Sequence, residues 1–265
     1  MKLSAFGEKF SASSGVVDLM RDLGEALQDN PDMLFMGGGN PARLPAAEKV
    51  YRERLRTLVD DPAQWQRLAG SYQSPQGDRG FRDALAASLR DRYGWSLSAD
   101  NIAVTNGSQS AYFLLYNLFA GPMPDGRHRR IHLPLSPEYI GYADAGIADD
   151  IFSATPPRIE LTAPHEFEYR LDLENLVVGR DVGALCVSRP TNPSGNVLNA
   201  DELAALETLA AARDIPLIVD GAYGAPFPDI TFTEAEPRWS DGTILTLSLS
   251  KLGLPGLRTG IVVAR

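Results

Sequence analysis

Residues 243–265 read TILTLSLSKLGLPGLRTGIVVAR, and this stretch carries the most direct information about the fold. It begins with TILTLS (243–248) and ends with GIVVAR (260–265), two short apolar runs that predict strands. In the loop between them, which glycine and proline interrupt, Lys251 and Arg258 are the only charged side chains. A surface loop usually carries several charges, so a single amine directly after a strand needs a chemical explanation.

Short apolar runs alternate with amphipathic segments along the rest of the chain. Segments 81–94 and 201–213 place apolar residues on one helical face, and the spacing of Asn199 and Glu202 predicts a cap for the second helix. Nearly continuous apolar strands joined through helices predict an α/β fold, a mostly parallel seven-stranded sheet sandwiched by helices. The predicted strands lie within NIAVTNG (101–107), RIHLPLS (130–136), DIFSA (150–154), GALCVSRP (183–190), IPLIVDGAY (215–223), TILTLS and GIVVAR.

Composition and net charge exclude several classes of protein. With 265 residues, 44% of them hydrophobic, the chain is typical of a globular protein. Its net charge of -9 argues against a nucleic-acid partner, and we interpret the basic run at 127–130 as a solvated loop. No apolar segment has the length of a membrane span.

Cysteine and histidine usage gives two further expectations. The single Cys186 excludes an internal disulfide and lies in an apolar run, so we predict an inert core thiol and a cytoplasmic protein without a signal peptide. The three histidines show no ligand spacing, so we expect no metal site.

Polar residues follow the predicted strands, where ligands of such sheets bind. The first strand runs into Gly107, Ser108 and Gln109, which open an apolar helix. The N-terminus of a helix offers free backbone N–H groups and a positive dipole end to an anion such as a phosphate. A plain helix cap explains Ser108 as well.

Other strand ends carry an aromatic ring, an amide, a carboxylate and a phenol. Tyr139 is placed to cover a flat ligand or to pack in the core. Asn192 lies in a turn that its neighbours alone explain. Asp220 follows an apolar run, where a carboxylate is costly without a partner, and Tyr223 comes shortly after it.

Together these groups match the requirements of pyridoxal phosphate. Its aldehyde needs an amine of lowered pKa, for which Lys251 is the candidate, and its phosphate needs a helix N-terminus plus an arginine such as Arg258. A carboxylate such as Asp220, opposite the ring nitrogen, keeps that nitrogen protonated so that the ring accepts electrons released at the substrate's α carbon. The isolated amine is therefore interpreted as the group that holds an aldehyde.

The order of five motifs resembles the fold type I pyridoxal phosphate enzymes of the aspartate aminotransferase superfamily. These motifs are NGSQS, SPEY, PTNPSG, DGAYG and SLSKLGLPGLRTG. The resemblance covers the whole chain. With MGGGNPA and SYQSPQG, it points to members that move an amino group between an aliphatic amino acid, valine or alanine, and a 2-oxo acid, pyruvate or 3-methyl-2-oxobutanoate. It implies a ping-pong transaminase of amino acid biosynthesis that acts as a homodimer.

The resemblance also implies a role for each matching residue. Lys251 bonds to the cofactor aldehyde and shuttles a proton, Asp220 pairs with the pyridine nitrogen, and Tyr223 with Asn192 holds the 3-hydroxyl oxygen. Tyr139 stacks on the ring. The residues implied at the phosphate are Gly107, Ser108, Gln109, Ser248, Ser250, Arg258 and, from the neighbouring subunit, Tyr72. Those implied at the substrate are Gly38, Gly39 and Asn40.

The same resemblance divides the chain. Residues 1–70 are expected to contribute to the small domain and the substrate entrance, and 71–265 to form the cofactor-binding large domain. Members of the superfamily continue past the lysine into a small C-terminal domain, whose arginine binds the substrate carboxylate. We expect that domain to be absent here, so this chain alone should bind the cofactor without transamination.

Two other functions stay open. One is a different fold type I enzyme, such as another aminotransferase or a β C–S lyase, which half-reaction spectra would separate. The other is a non-catalytic fragment or regulator that binds pyridoxal phosphate, for which any turnover of an amino acid is the discriminating observation.

Overall fold

A computed structural model of the protein describes residues 2–30, 32–34, 40–233 and 235–265, without the side chains of 23, 24 and 26–28. In these ranges the helices are α1 (Ala5–Ser11), α2 (Gly15–Asp29), α3 (Pro45–Asp60), α4 (Pro62–Ala69), α5 (Arg79–Tyr93), α6 (Ser108–Phe119) and α7 (Ala200–Ala212). The strands there are β1 (Ile102–Asn106), β2 (Gly121–Pro122), β3 (His128–Leu133), β4 (Phe152–Ala154), β5 (Arg158–Ala163), β6 (Glu166–Arg170), β7 (Val182–Ser188), β8 (Leu217–Asp220), β9 (Thr243–Ser248) and β10 (Thr259–Val263).

The main sheet has the strand order β1-β10-β9-β8-β7-β3, with β2 and β4 both paired to β3. Strands β9, β8, β7, β3 and β4 run parallel, while β10 is antiparallel to both of its neighbours. All seven predicted strands are present, and the predicted α/β fold is confirmed. Strand β2 was not predicted. It has only two residues, a glycine and a proline, which lack the apolar pattern that predicts a strand.

Two segments depart from the sequence-based expectation. The basic run at 127–130 is not a solvated loop: most of it lies in β3, where Arg130 pairs with Asp150 and, at 2.9 Å, with Asp181. Strands β5 and β6 form a separate two-stranded sheet that was not predicted. Its side chains alternate between charged and apolar and remain largely exposed, so no continuous apolar run marks it.

The sheet is buried on both faces, as a parallel sheet between helices requires. One apolar cluster packs α5 and α7 against it, with Leu89 and Leu206 fully buried. The other cluster packs α6 against the opposite face, with Tyr112 and Tyr116 fully buried. All seven residues of β7 are buried, so this strand lies in the core of the sheet.

Helix α7 begins as predicted. Asn199 accepts the backbone N–H of Glu202 at 2.8 Å, and the Glu202 carboxylate accepts the N–H of Asn199 at 3.0 Å. This reciprocal pair satisfies two of the N–H groups that a helix start leaves without a partner. The predicted cap is therefore confirmed.

The N-terminal helices cover the body of the protein through specific polar contacts. Helices α1, α3 and α4 contain no buried residue among those described. The hydroxyl of Tyr51 in α3 donates to the carbonyl of Leu252 at 2.9 Å, and the Lys9 amine in α1 donates to the carbonyl of Ala148 at 2.7 Å. The first contact joins the N-terminal segment to the lysine loop. No helix in the described ranges is long and apolar enough to cross a membrane.

Candidate active site

One edge of the main sheet collects the polar groups that the sequence singles out. Ser188, Asp220 and Ser248 are the last residues of the parallel strands β7, β8 and β9. Strand β10 runs the other way, so its beginning lies at the same edge, where Gly260 pairs with both Ser248 and Thr105. Lys251, Arg258 and the start of α6 therefore flank this edge.

Asp220 is a buried carboxylate with defined partners. Its Oδ2 accepts the hydroxyl of Tyr142 at 2.6 Å, and its Oδ1 accepts the backbone N–H of Ala222 at 2.9 Å. Burial raises the pKa of Asp220, and the hydrogen bond from Tyr142 opposes that rise. The cost of a carboxylate after an apolar strand is thus offset by two donors.

Tyr139 lies at the same edge, directly before a short 3-10 helix over Ile140–Ala145. Its half-buried ring meets the ring of Tyr142 edge-on, with centroids 5.5 Å apart. Gly141 allows this position, because a Cβ there would collide with the Tyr139 ring. The ring of Tyr139 therefore packs beside Tyr142, whose hydroxyl donates to Asp220.

Asn192, Tyr223 and Lys251 lie together. The Asn192 amide donates to the Tyr223 hydroxyl at 3.3 Å, and the Lys251 amine lies over the Tyr223 ring at 5.4 Å from its centroid. All three are half-buried. Burial lowers the pKa of the Lys251 amine and raises the pKa of the Tyr223 phenol. A larger share of the amine is therefore neutral, which is the form that attacks an aldehyde.

The start of α6 and Arg258 form an anion cradle. Gly107 caps α6 at φ 82° and ψ 156°, and as a glycine it places no capping side chain over the first N–H groups of the helix. A Cβ at Gly107 would collide with the Arg258 guanidinium, so glycine lets the arginine lie against the helix start. A Cβ at Gly260 would likewise collide with the backbone nitrogen of Ser108. A helix N-terminus and a guanidinium both attract anions, so the two groups together suit a phosphate.

The remaining residues predicted at the phosphate differ in their surroundings. The side-chain amide of Gln109 donates to the carbonyl of Gly141 at 2.6 Å, so it braces the Tyr139 segment. Ser248 is buried, and its hydroxyl accepts the backbone N–H of Ser250 at 3.1 Å. Ser108 and Ser250 are half-buried at the cradle and in the lysine loop.

The residues predicted to act from outside this edge are exposed or undescribed. Tyr72 is fully exposed, in the loop before α5, and Asn40 is exposed. Gly38 and Gly39 lie outside the described residues. Their implied roles stay predictions.

Two residues at the site are missing from the sequence-based set. Tyr142 donates to Asp220, and Glu138 accepts the backbone N–H of Ser188 at 2.9 Å. Both lie within PEYIGY, next to the predicted Tyr139. The need of a buried Asp220 for a donor was a usable signal, but nothing in the sequence distinguishes Tyr142 from an ordinary core aromatic.

Comparison with known proteins decides the family. Residues 36–265 match the family of class I and II aminotransferases. The chain belongs to this family. The expected superfamily is thereby confirmed, and the fold of this family member agrees with solved aminotransferase structures.

Three relatives are closely similar to this family member. It is 47% identical to the valine–pyruvate aminotransferase of Escherichia coli K12 over 264 residues, which is 100% of this chain and 63% of that protein. A putative amino-acid aminotransferase from Psychrobacter arcticum 273-4 superposes with a TM-score of 0.93 at 44% identity, covering 100% of this chain and 64% of the other. The valine-pyruvate aminotransferase of Salmonella typhimurium LT2 gives 0.82 at 45% identity, covering 95% and 61%.

The length of the match limits what these relatives establish. The chain spans less than two thirds of each of them. Family and fold are therefore established for this chain, whereas the reaction and substrates of the whole relatives are carried over as proposals.

Proposed function

We propose that the protein is a pyridoxal phosphate-dependent aminotransferase that exchanges an amino group between valine or alanine and the matching 2-oxo acids. One observation carries the proposal: the Lys251 amine lies over the Tyr223 ring at the sheet edge that also holds Asp220. The likeness to two valine–pyruvate aminotransferases supports the choice of substrates. The cytoplasm is the proposed location, since a single buried cysteine needs no oxidising compartment.

The described residues fit the cofactor at three points. The cradle of α6 and Arg258 suits its phosphate, Asp220 suits its ring nitrogen, and Lys251 suits its aldehyde. Asn192 and Tyr223 are proposed at the 3-hydroxyl oxygen, and Tyr139 on the ring face. When bound, pyridoxal phosphate supplies a ring that accepts the electron pair released at the α carbon of the amino acid.

Lys251 is proposed to move the proton. Because burial lowers the pKa of its amine, Nζ has a larger neutral fraction and accepts a proton from the substrate's α carbon more readily. The loop that presents Nζ is tied to α3 through Tyr51 and Leu252, which limits the positions the amine reaches. The same amine returns the proton in the second half of a ping-pong cycle.

Asp220 is proposed to hold a positive charge on the ring nitrogen. Its Oδ2 is oriented by Tyr142 and its Oδ1 by the N–H of Ala222. In a buried environment an ion pair is strong only when the remaining lone pairs are satisfied, and these donors satisfy them. The orientation of the carboxylate is thus set before any ligand binds.

The N-terminal residues 1–70 are proposed to border the substrate entrance, and 71–265 to bind the cofactor. A cleft of about 530 Å³ lies between the N-terminal helices and α6 and is lined partly by Gln109 and Ser110 of the cradle. Its other walls combine the apolar Phe10, Val16 and Val17 with the charged Lys9 and Asp144, a mixture that suits a ligand with both aliphatic and charged groups. Homodimer formation, with Tyr72 reaching the phosphate of a second copy, is part of the same proposal.

The proposal is tested with the full chain, pyridoxal phosphate and unlabelled substrates. With L-valine and pyruvate, the proposed reaction predicts alanine and 3-methyl-2-oxobutanoate in equal amounts, and with L-valine alone it predicts a spectral change to the amine form of the cofactor. Ammonia release in place of alanine would favour a lyase. Cofactor binding without conversion of any amino acid would favour a fragment or regulator without turnover.

A further inference from the structure

Glu138 joins two segments of the candidate site that are far apart in the chain. Its Oε1 accepts the backbone N–H of Ser188 at 2.9 Å, and its Oε2 shares a hydrogen bond with the Ser188 hydroxyl. Glu138 directly precedes Tyr139, and Ser188 pairs in register with Asp220. One carboxyl group therefore ties the loop of the tyrosine ring to the strand beside the buried aspartate.

Other contacts hold this loop from different directions. The backbone N–H and the hydroxyl of Ser136 both lie 3.2 Å from the carbonyl of Thr155, to which they donate. On the far side of Tyr139, Gln109 donates to the carbonyl of Gly141. Neither contact involves β7, and the hydroxyl of Tyr142 ties the same segment to Asp220 of β8, so Glu138 supplies the bond from the Tyr139 loop to β7.

Ser188 also contacts the turn that carries Asn192. The carbonyl of Ser188 accepts the hydroxyl of Thr191 at 3.0 Å, in the turn that leads to Asn192. Ser188 and Thr191 are both buried. A shift of Ser188 would therefore move the groups proposed at the ring face, the ring nitrogen and the 3-hydroxyl oxygen relative to one another.

We propose that Glu138 is a positioning residue: by clamping Ser188, it sets where the Tyr139 ring lies relative to Asp220 and Asn192. This inference rests on the proposed function, which makes those three groups parts of one cofactor site. In this proposal Glu138 acts through Ser188 and does not touch the cofactor or the reacting atoms.

The chemistry of the clamp suits a neutral acid. Burial raises the pKa of Glu138 to about 8, and Asp220 nearby adds to the rise while the two bonds from Ser188 oppose it. The group is therefore largely protonated at neutral pH, and it adds no second negative charge beside Asp220. Glutamine has the same shape and also offers one acceptor and one donor, so Glu138→Gln should keep the clamp.

A matched control is available at Glu202. Its carboxylate accepts two backbone N–H groups, those of Leu171 and Asn199, and it is buried at the start of α7, outside the Glu138–Ser188 clamp. Removing the Glu202 carboxylate breaks two hydrogen bonds at the start of α7, as removing Glu138 breaks two at Ser188. Glu202→Ala therefore reports what general destabilisation does to the site.

The experiment compares the wild type with Glu138→Ala, Glu138→Gln and Glu202→Ala as full chains. Hydrogen exchange over residues 134–142 is measured without ligand, and affinity and visible circular dichroism are measured with pyridoxal phosphate. We expect about tenfold faster exchange and about tenfold weaker cofactor affinity in Glu138→Ala, as for lost buried hydrogen bonds, with a reduced dichroic band. Glu138→Gln should restore all three, and Glu202→Ala should lower only the melting temperature.

The outcomes separate this inference from the function on which it rests. If the wild type binds pyridoxal phosphate and Glu138→Ala retains wild-type exchange, or retains wild-type affinity and dichroism, the positioning role is overturned while the function stands. If the wild type binds no cofactor, the proposed function fails, and with it the cofactor role of the clamp. Equal effects in Glu138→Ala and Glu202→Ala would also overturn it.

Discussion

The hydroxyl of Tyr142 donates a 2.6 Å hydrogen bond to Oδ2 of Asp220, and both side chains are buried. The tyrosine lies three residues after Tyr139, so one short segment supplies both the ring proposed to cover the cofactor and the donor that orients its carboxylate partner. Burial keeps the pKa of Tyr142 well above its usual value, so the hydroxyl remains a donor. The electrostatics of the site thus depend on Tyr142, a residue outside the set proposed to hold the cofactor.

Tyr142→Phe should weaken cofactor binding. The variant removes a donor to a buried carboxylate, a loss of about 1.5–3 kcal/mol, or roughly tenfold or more in Kd. Since the Tyr142 bond lowers the pKa of Asp220, its loss should move the acid limb of cofactor binding to higher pH. Titration with pyridoxal phosphate at several pH values measures both effects.

Tyr116→Phe is the control for that variant. Tyr116 is equally buried in the same aromatic cluster, but its hydroxyl contacts Cys186 Sγ at 3.3 Å. We expect unchanged cofactor affinity in this variant. Equal weakening in the two variants would mean that packing of the cluster, and not the donor to Asp220, controls binding.

Gly107→Ala should damage the anion cradle. Gly107 has φ 82° and ψ 156°, a region that costs other residues about 1–3 kcal/mol, and its Cβ would also displace Arg258. We expect a lower melting temperature together with weaker binding of inorganic phosphate and of pyridoxal phosphate. Gly126→Ala is the matched control, because Gly126 has φ 81° but open space for a Cβ. Phosphate affinity that is equal in both variants would contradict the cradle.

Glu138 should make the stability of the fold fall as pH rises. Its folded pKa of about 8 lies above the ordinary value of 4.5, so between these values unfolding releases a proton. The contribution is complete below pH 4.5 and is lost as pH approaches 8. Urea unfolding should show the wild type losing stability relative to Glu138→Gln as pH rises from 4.5 toward 8, because glutamine keeps the clamp and cannot ionise. A difference between the two proteins that stays constant across this range would show that the carboxyl ionises normally.

His132 should have the opposite effect at lower pH. Its ring nitrogens lie 2.8 Å from the Ser153 hydroxyl and 3.0 Å from the Thr155 hydroxyl, and burial lowers its pKa below 6.5. The unfolded chain then binds a proton that the folded chain does not, so stability falls as pH drops below 6.5. The advantage of the wild type over His132→Gln should shrink in that direction.

The sequence predicted the fold well because its central strands are buried on both faces. Strands such as β7 and β8 are continuous apolar runs that end in a polar residue, so their position and their ends were both visible. The capping pair of Asn199 and Glu202 was equally visible, since it depends on local spacing. The β5–β6 sheet escaped prediction because its exposed faces place no demand on an apolar pattern.

The candidate site was only partly predictable, because its support comes from side chains that are distant in the chain. The sequence identified Lys251, Asp220 and Arg258 by their place after strands. It contained no information that Glu138 would reach Ser188, fifty residues away, or that Gln109 would brace Gly141 instead of presenting its amide to an anion. Such pairings depend on how the strands are ordered in the sheet.

Reduction of the protein with borohydride in the presence of pyridoxal phosphate, followed by peptide mapping, tests the central claim most directly. The chain contains four lysines, Lys2, Lys9, Lys49 and Lys251, so each position serves as an internal control for the others. The account predicts a stable cofactor adduct on Lys251, at near-stoichiometric level, that Lys251→Ala abolishes. An unmodified Lys251 peptide, or labelling spread evenly over the four lysines, would contradict it.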